Sequence, residues 1–246
     1  MNLKPNYVLA TVFISFLGSF GFSQTLSSIH EFKSQPTAEP ICEDVKAQPG
    51  KPIVIRGPYL ISPDGDHKAY ARVEVQLPDS EHKDEYDCRN HTTLFTSKGP
   101  NGRFDSILDV AGVDNPTRGN GLQLVDWSAD SETLLADLLT WYYGSEGTEH
   151  NLVLYSSRTG SLTQKSLSEV FKSVSHEDCR FDGEIMGFLA DGQIALRTVH
   201  EHDEIEEWNP CAKSTGFWAM NPFDFRLTKI SGQQVVRHNG HFEGAK

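Results

Sequence analysis

Residues 60–65, Leu60-Ile61-Ser62-Pro63-Asp64-Gly65, followed shortly by Lys68-Ala69-Tyr70, decide the fold reading. Strand-forming residues flank a tight reversal, and each turn residue has a mechanical reason to be there. Ser62 at the first position can bond the backbone ahead of it. Pro63 fixes φ near the value that a type I turn requires, and Gly65 at the fourth position accepts positive φ. The form recurs. Val125-Asp126-Trp127-Ser128-Ala129-Asp130-Ser131 precedes Leu134-Leu135-Ala136, and Met186-Gly187-Phe188-Leu189-Ala190-Asp191-Gly192 precedes Ile194-Ala195-Leu196. The shared unit is an apolar strand, a turn centred on Asp, and a second apolar strand.

Working outward, β-branched and aromatic segments alternate with clusters of Gly, Pro, Asp and Asn, which is the pattern of an all-β chain. Strands are expected at 53–55, 69–76, 92–97, 122–127, 133–143, 151–155, 193–199, 217–220, 225–230 and 233–237. One helix is expected: Ser166-Leu167-Ser168-Glu169 has the form of a capping box, and Leu167, Val170, Phe171 and Val174 share a helical face. Two stretches read as loops, the highly charged 77–91 and the turn-rich 98–121. Long loops in compact domains often carry function, so binding is expected there.

The Ser-Pro-Asp-Gly turn between apolar strands resembles the repeat of TolB-type β-propellers, and so also the propeller half of prolyl oligopeptidases. In that family the motif joins the first two strands of a four-stranded blade. The resemblance implies a propeller-like domain over residues 51–246 that makes protein–protein contacts through the loops of one face. The turn aspartates at 64, 130 and 191 are 66 and 61 residues apart, longer than the roughly 40–45 residues of related blades. Three copies are fewer than the four to eight blades of closed rings. Three architectures follow: a partial or divergent propeller, a ring shared between two chains of three blades each, and ordinary hairpins in a β-sandwich or in open stacked sheets.

The chain has 246 residues, 37% hydrophobic and 23% charged, which excludes collagen-like, coiled-coil and wholly disordered classes. Its net charge of −12, with no run rich in Lys or Arg, argues against nucleic acid and anionic membrane as partners. Lys4, the uncharged apolar run from Tyr7 to Phe20 and the small residues Gly21 and Ser23 have the form of a secretory signal peptide over residues 1–23. Export to the periplasm or the outside is therefore expected, with no membrane insertion after cleavage. Residues 24–50, rich in Ser, Pro, Gln and Glu, read as a partly disordered leader. Four cysteines in an exported chain point to two disulfides. Three pairings are open; Cys42–Cys88 and Cys179–Cys211 are expected because each closes a loop within one end of the chain, contributing about 3–4 kcal/mol each.

The chemistry-bearing candidates are few. His200-Glu201-His202-Asp203 could supply metal ligands His200, His202 and Asp203, since alternate residues of a strand share a face. The cluster lacks the His-Glu-x-x-His spacing, and a solvated charged loop accounts for it better. Trp141, Tyr142, Tyr143 and Trp208 could line a sugar or peptide groove, while Trp127, Phe188 and Phe217 fall on strands and read as core. Asn90-His91-Thr92 is a glycosylation sequon. Neither Gly-x-Ser-x-Gly nor a phosphate-cradling glycine loop occurs. The sequence thus implies no cofactor and reads as an exported binding or scaffold module with a protein partner. A homodimer is among the assemblies it allows. The rival is a secreted hydrolase, metal-assisted or carbohydrate-active; an aromatic patch would favour the first class and a cleft lined by perturbed acids the second.

Overall fold

The computed structural model describes residues 52–76, 89–99, 101–111, 118–142, 148–174, 181–200, 214–231, 236 and 238–244, all within one compact unit. The described residues form fourteen strands and one short helix, in three antiparallel sheets. The first sheet contains β1 (Ile53–Arg56), β2 (Tyr59–Ile61), β3 (His67–Gln76), β4 (Arg89–Lys98) and β5 (Phe104–Val110). The second runs in order through β6 (Arg118–Trp127), β7 (Thr133–Tyr142), β8 (Thr148–Ser156) and β9 (Leu162–Ser166), and is followed by α1 (Leu167–Phe171). The third runs through β10 (Phe181–Phe188), β11 (Ile194–His200), β12 (Gly216–Met220) and β13 (Leu227–Ile230). The last strand, β14 (His241–Glu243), returns to the first sheet and pairs with β2. β1 and β2 both pair with β3, and Gly57-Pro58 separates them. Pro58 has no N–H to give to a ladder, so one strand becomes two.

The turns expected from the sequence close as their residues demand. At the first, Gly65 N–H donates to Ser62 O at 2.9 Å with φ +78° at Gly65. Ser62 Oγ donates to Asp64 Oδ1 at 2.5 Å and accepts from His67 N–H at 2.9 Å, and Asp64 Oδ1 accepts from Asp66 N–H at 2.9 Å. The second copy repeats this network with Ser128, Asp130, Glu132 and Thr133, although Ser131 holds φ +64° where the first has Gly. The Ser62 and Ser128 hydroxyls are the main reason that Asp64 and Asp130 sit below the ordinary carboxylate range. The third copy keeps the Asp191 Oδ1 bond to Gln193 N–H but has Leu189 where the others have Ser.

These turns set which face each residue takes. Alternation from β3 sends Ala69 and Ala71 inward, where they pack with Leu60 and Leu94 against Leu122, Leu134, Ala136 and Leu138 of the second sheet. The other face of β7 carries Leu135, which packs with Leu152 and Leu154 against Ile185, Ile194, Leu196, Trp218 and Met220 of the third sheet. The second sheet is therefore covered on both faces. Trp127 is fully buried between the first two sheets, stacks with His67 at 5.5 Å and donates its indole N–H to Leu60 O at 3.3 Å.

A second tie comes from the carboxyl end. Val236 lies against Gly187 of β10, so closely that a Cβ there would sit 2.8 Å from its Cγ1. The chain then meets Asp126 at the end of β6. This fully buried carboxylate accepts from Asn239 N–H at 3.1 Å, Gly240 N–H at 2.9 Å and Trp127 N–H at 2.8 Å. Next it enters the first sheet as β14. One short segment thus touches all three sheets.

Several sequence expectations need correction. Phe104–Val110, read as part of a loop, is a strand, because Ile107, Leu108 and Val110 pack against the inner cluster. Arg89, Asn90 and His91, assigned to the charged loop, already belong to β4. The helix forms without its capping box: Ser166 Oγ bonds Glu149 Oε1 and Ser168 Oγ, and caps no N–H. Of the 233–237 segment only Val236 is described, and it is not in a strand.

Ser62→Ala removes a donor and an acceptor from the first turn at once. Urea unfolding should show a loss of about 1–2 kcal/mol. An unchanged midpoint would mean that Pro63 and Gly65 hold the turn unaided.

Candidate functional site

The outward face of the first sheet holds an unusual set of side chains. Tyr70, Arg72 and Glu74 of β3 point away from the core, opposite to Ala69, Ala71, Val73 and Val75. Tyr70 stacks on its cross-strand partner Phe95 at 4.8 Å. Phe104 meets Tyr70 edge to face at 4.9 Å, and Tyr59 stacks on Phe104 at 5.5 Å. The Arg56 guanidinium lies 4.0 Å from the Tyr70 ring centre and 4.5 Å from that of Tyr59, and donates to the Tyr59 hydroxyl. Arg72 sits over Phe95 and 3.6 Å from Glu74. The four rings are half-buried and Arg56 is exposed.

Two features give this face its chemistry. Among the described residues Arg56 has no carboxylate partner, although the chain is strongly acidic. Its neighbours of opposite charge are already committed, Glu74 to Arg72 and Glu243 to Lys68. The rings are engaged with one another and with guanidinium groups, so they offer no bare platform for stacking a sugar. They offer a mixed apolar and cationic surface, on which each aromatic pair adds about 0.5–1.5 kcal/mol and each exposed cation–π contact about 0.5–1 kcal/mol of order.

Two acids have raised pKa values, in both cases chiefly through burial. Asp126 is pushed up even though it accepts three backbone N–H groups, and it ties down the carboxyl-terminal segment. Asp137 of β7 is only 4% exposed and faces the third sheet; His150 Nδ1 is 2.6 Å from its Oδ2, while its Oδ1 has no partner. Burial there outweighs the help from His150. Both carboxylates do structural work inside the sheet stack.

The sequence candidates fall elsewhere. Trp141 is half-buried near the end of β7, its indole lying across Gly119 of β6, and Tyr142 is the last residue of that strand. His200 is the last residue of β11. Tyr143, His202, Asp203, Trp208 and the cysteines Cys42, Cys88, Cys179 and Cys211 lie outside the described residues. Among the described residues no group of three or more His, Cys, Asp or Glu side chains could hold a metal, and no helix is long and apolar enough to cross a membrane. Trp127 and Phe188 are core, as expected, whereas Phe217 is half-buried.

The sequon has a different role. Asn90 is 1% exposed, and its amide reaches across to β6: its Oδ1 accepts from Asn120 N–H at 3.1 Å and its Nδ2 donates to Asn120 O. The side chain that a glycan would need is spent joining two sheets. No protein-family model matches the chain, and no curated protein matches it.

Sequence reading missed the Arg56, Tyr59, Tyr70, Phe95 and Phe104 cluster because its members come from five strands. The available signal was alternation over 67–76, which sets Tyr70, Arg72 and Glu74 on the face opposite the alanines and valines.

Asp137 gives a pH signature. Burial holds its folded pKa above the ordinary carboxylate range, so the folded chain binds this proton more tightly than the unfolded chain. The group adds stability at acid pH and loses that contribution as pH rises through the folded pKa. In parallel urea titrations, wild type should gain on Asp137→Asn as pH falls from about 7 to about 4. The opposite slope would mean that the pair with His150 outweighs burial.

Proposed function

We propose that the three sheets are successive blades of a propeller-like array and that the chain is an exported protein-binding module. The contact face is the outward side of the first sheet. The carrying observation is the half-buried Tyr59, Tyr70, Phe95 and Phe104 cluster with Arg56 above it, a composition typical of protein contact surfaces, where aromatic residues and Arg dominate the binding energy. Supporting the blade reading, an Asp-centred turn joins two neighbouring antiparallel strands in each sheet: β2 to β3, β6 to β7, and β10 to β11. The hydrolase alternative draws less support, because the two raised acids are both buried in structural roles.

Arg56→Glu tests this reading, since Arg56 is exposed and contributes no core contact. Chain from its own host should bring down a stoichiometric protein partner from an envelope extract, and Arg56→Glu should weaken that capture at least tenfold while its circular dichroism shows the fold retained. Equal capture by the variant would move the site off this face.

A further inference from the structure

We infer that the partner seated on the outward face of the first sheet is a second copy of this chain, which presents the outward face of its third sheet. This deepens the protein-binding reading and rests on it only for the premise that the first sheet's outward face is a contact surface.

The turns place the sheets in a common register. Ser62 N–H bonds His67 O, Ser128 N–H bonds Thr133 O, and Leu189 N–H bonds Gln193 O, so His67, Thr133 and Gln193 are equivalent positions. Counting onward, Ala69, Leu135 and Ala195 are equivalent, as are Tyr70, Ala136 and Leu196. The face carrying Ala69 and Ala71 packs on the second sheet's Leu134, Ala136 and Leu138. The face carrying Leu135 packs on the third sheet's Ile194 and Leu196. In both interfaces the same type of face meets the same opposite type. The stacking is head to tail, with a fixed sense.

That sense leaves two faces not covered by another described sheet, and they are of opposite type. One is the Tyr70 face of the first sheet. The other is the Ala195, Arg197 and Val199 face of the third. On it Val236 packs beside Leu189, Ala195 and Ala219, while Val199, 38% exposed, and Arg197 remain outward, with Phe217 half-buried beside Arg197. Bringing the third-sheet face of one copy onto the first-sheet face of the other continues the interface already made twice within the chain. Repeating this through a two-fold axis makes both contacts at once and gives six sheets, within the four to eight blades of closed rings.

The area is sufficient. The third-sheet strands hold 8, 7, 5 and 4 residues, and at about 4.8 Å by about 3.3 Å per residue they cover at most about 380 Å². Two-fold closure buries four such faces, at most about 1,500 Å² in all, within the range of a specific interface. Stacking of two first sheets on each other would bury half of that and would reverse the packing sense.

Light scattering after size exclusion tests the inference on the full chain purified from its own host. Wild type should have twice the chain mass at low micromolar concentration. Arg56→Glu on one face and Val199→Glu on the other should each run as monomer with unchanged circular dichroism. Mixing the two variants should recover a weak one-to-one dimer, because one of the two contacts is then intact. Dimerisation unaffected by Val199→Glu, or no recovery on mixing, would overturn head-to-tail closure, and open polymers instead of dimers would overturn the ring. A monomeric wild type that still loses a different protein partner on Arg56→Glu would overturn this inference alone and leave the protein-binding reading standing.

Discussion

A strand sends alternate side chains to opposite faces, and in the second sheet both sets are apolar. Leu134, Ala136 and Leu138 point one way and Leu135 the other, and all four are almost completely withdrawn from solvent. Such a sheet cannot stand with one side wet. It needs a layer on each side, and the first and third sheets supply them. The burial of Leu94 and Leu60 on one side, and of Ile194 and Leu196 on the other, follows from that requirement. Each fully buried aliphatic side chain contributes about 1.5–3 kcal/mol through removal from water, so this double-faced layer dominates the stability of the described residues.

Apolar packing alone would let the layers slide. Polar contacts at a few buried points fix their positions. Asn90 and Asn120 exchange amide bonds between the first and second sheets. Asp126 gathers backbone N–H groups from the carboxyl-terminal segment, at the cost of keeping a carboxylate in a desolvated place. That cost has a return in specificity, because Asn239 and Gly240 place two backbone donors on this carboxylate. The strand that follows them pairs with β2 and becomes an edge of the first sheet.

The same alternation divides the chain's polar chemistry into two classes. Asp126 and Asp137 lie inside the stack, and their raised pKa values report on burial. Arg56, Tyr59, Tyr70, Phe95 and Phe104 lie on an outward face, where half-buried rings meet a cation that has no carboxylate partner among the described residues.

By itself the sequence determined the class, the turns and most of the strands. Ser62-Pro63-Asp64-Gly65 and its relatives act through bonds spanning five residues or fewer, so local chemistry sufficed to read them, including the one at Ser128 that had lost its proline. Alternation over 67–76 placed the buried alanines and valines for the same reason. What tertiary structure decided were the contacts between residues far apart in the chain. Phe104–Val110 became a strand because β4 lies beside it and Ile107, Leu108 and Val110 pack on the inner cluster; Ser166 gave up its capping role because Glu149 came within 2.9 Å. Asn90 became a clasp because Asn120 lies opposite, thirty residues on. The cluster around Arg56 draws on five strands, and strand pairing alone makes it one surface.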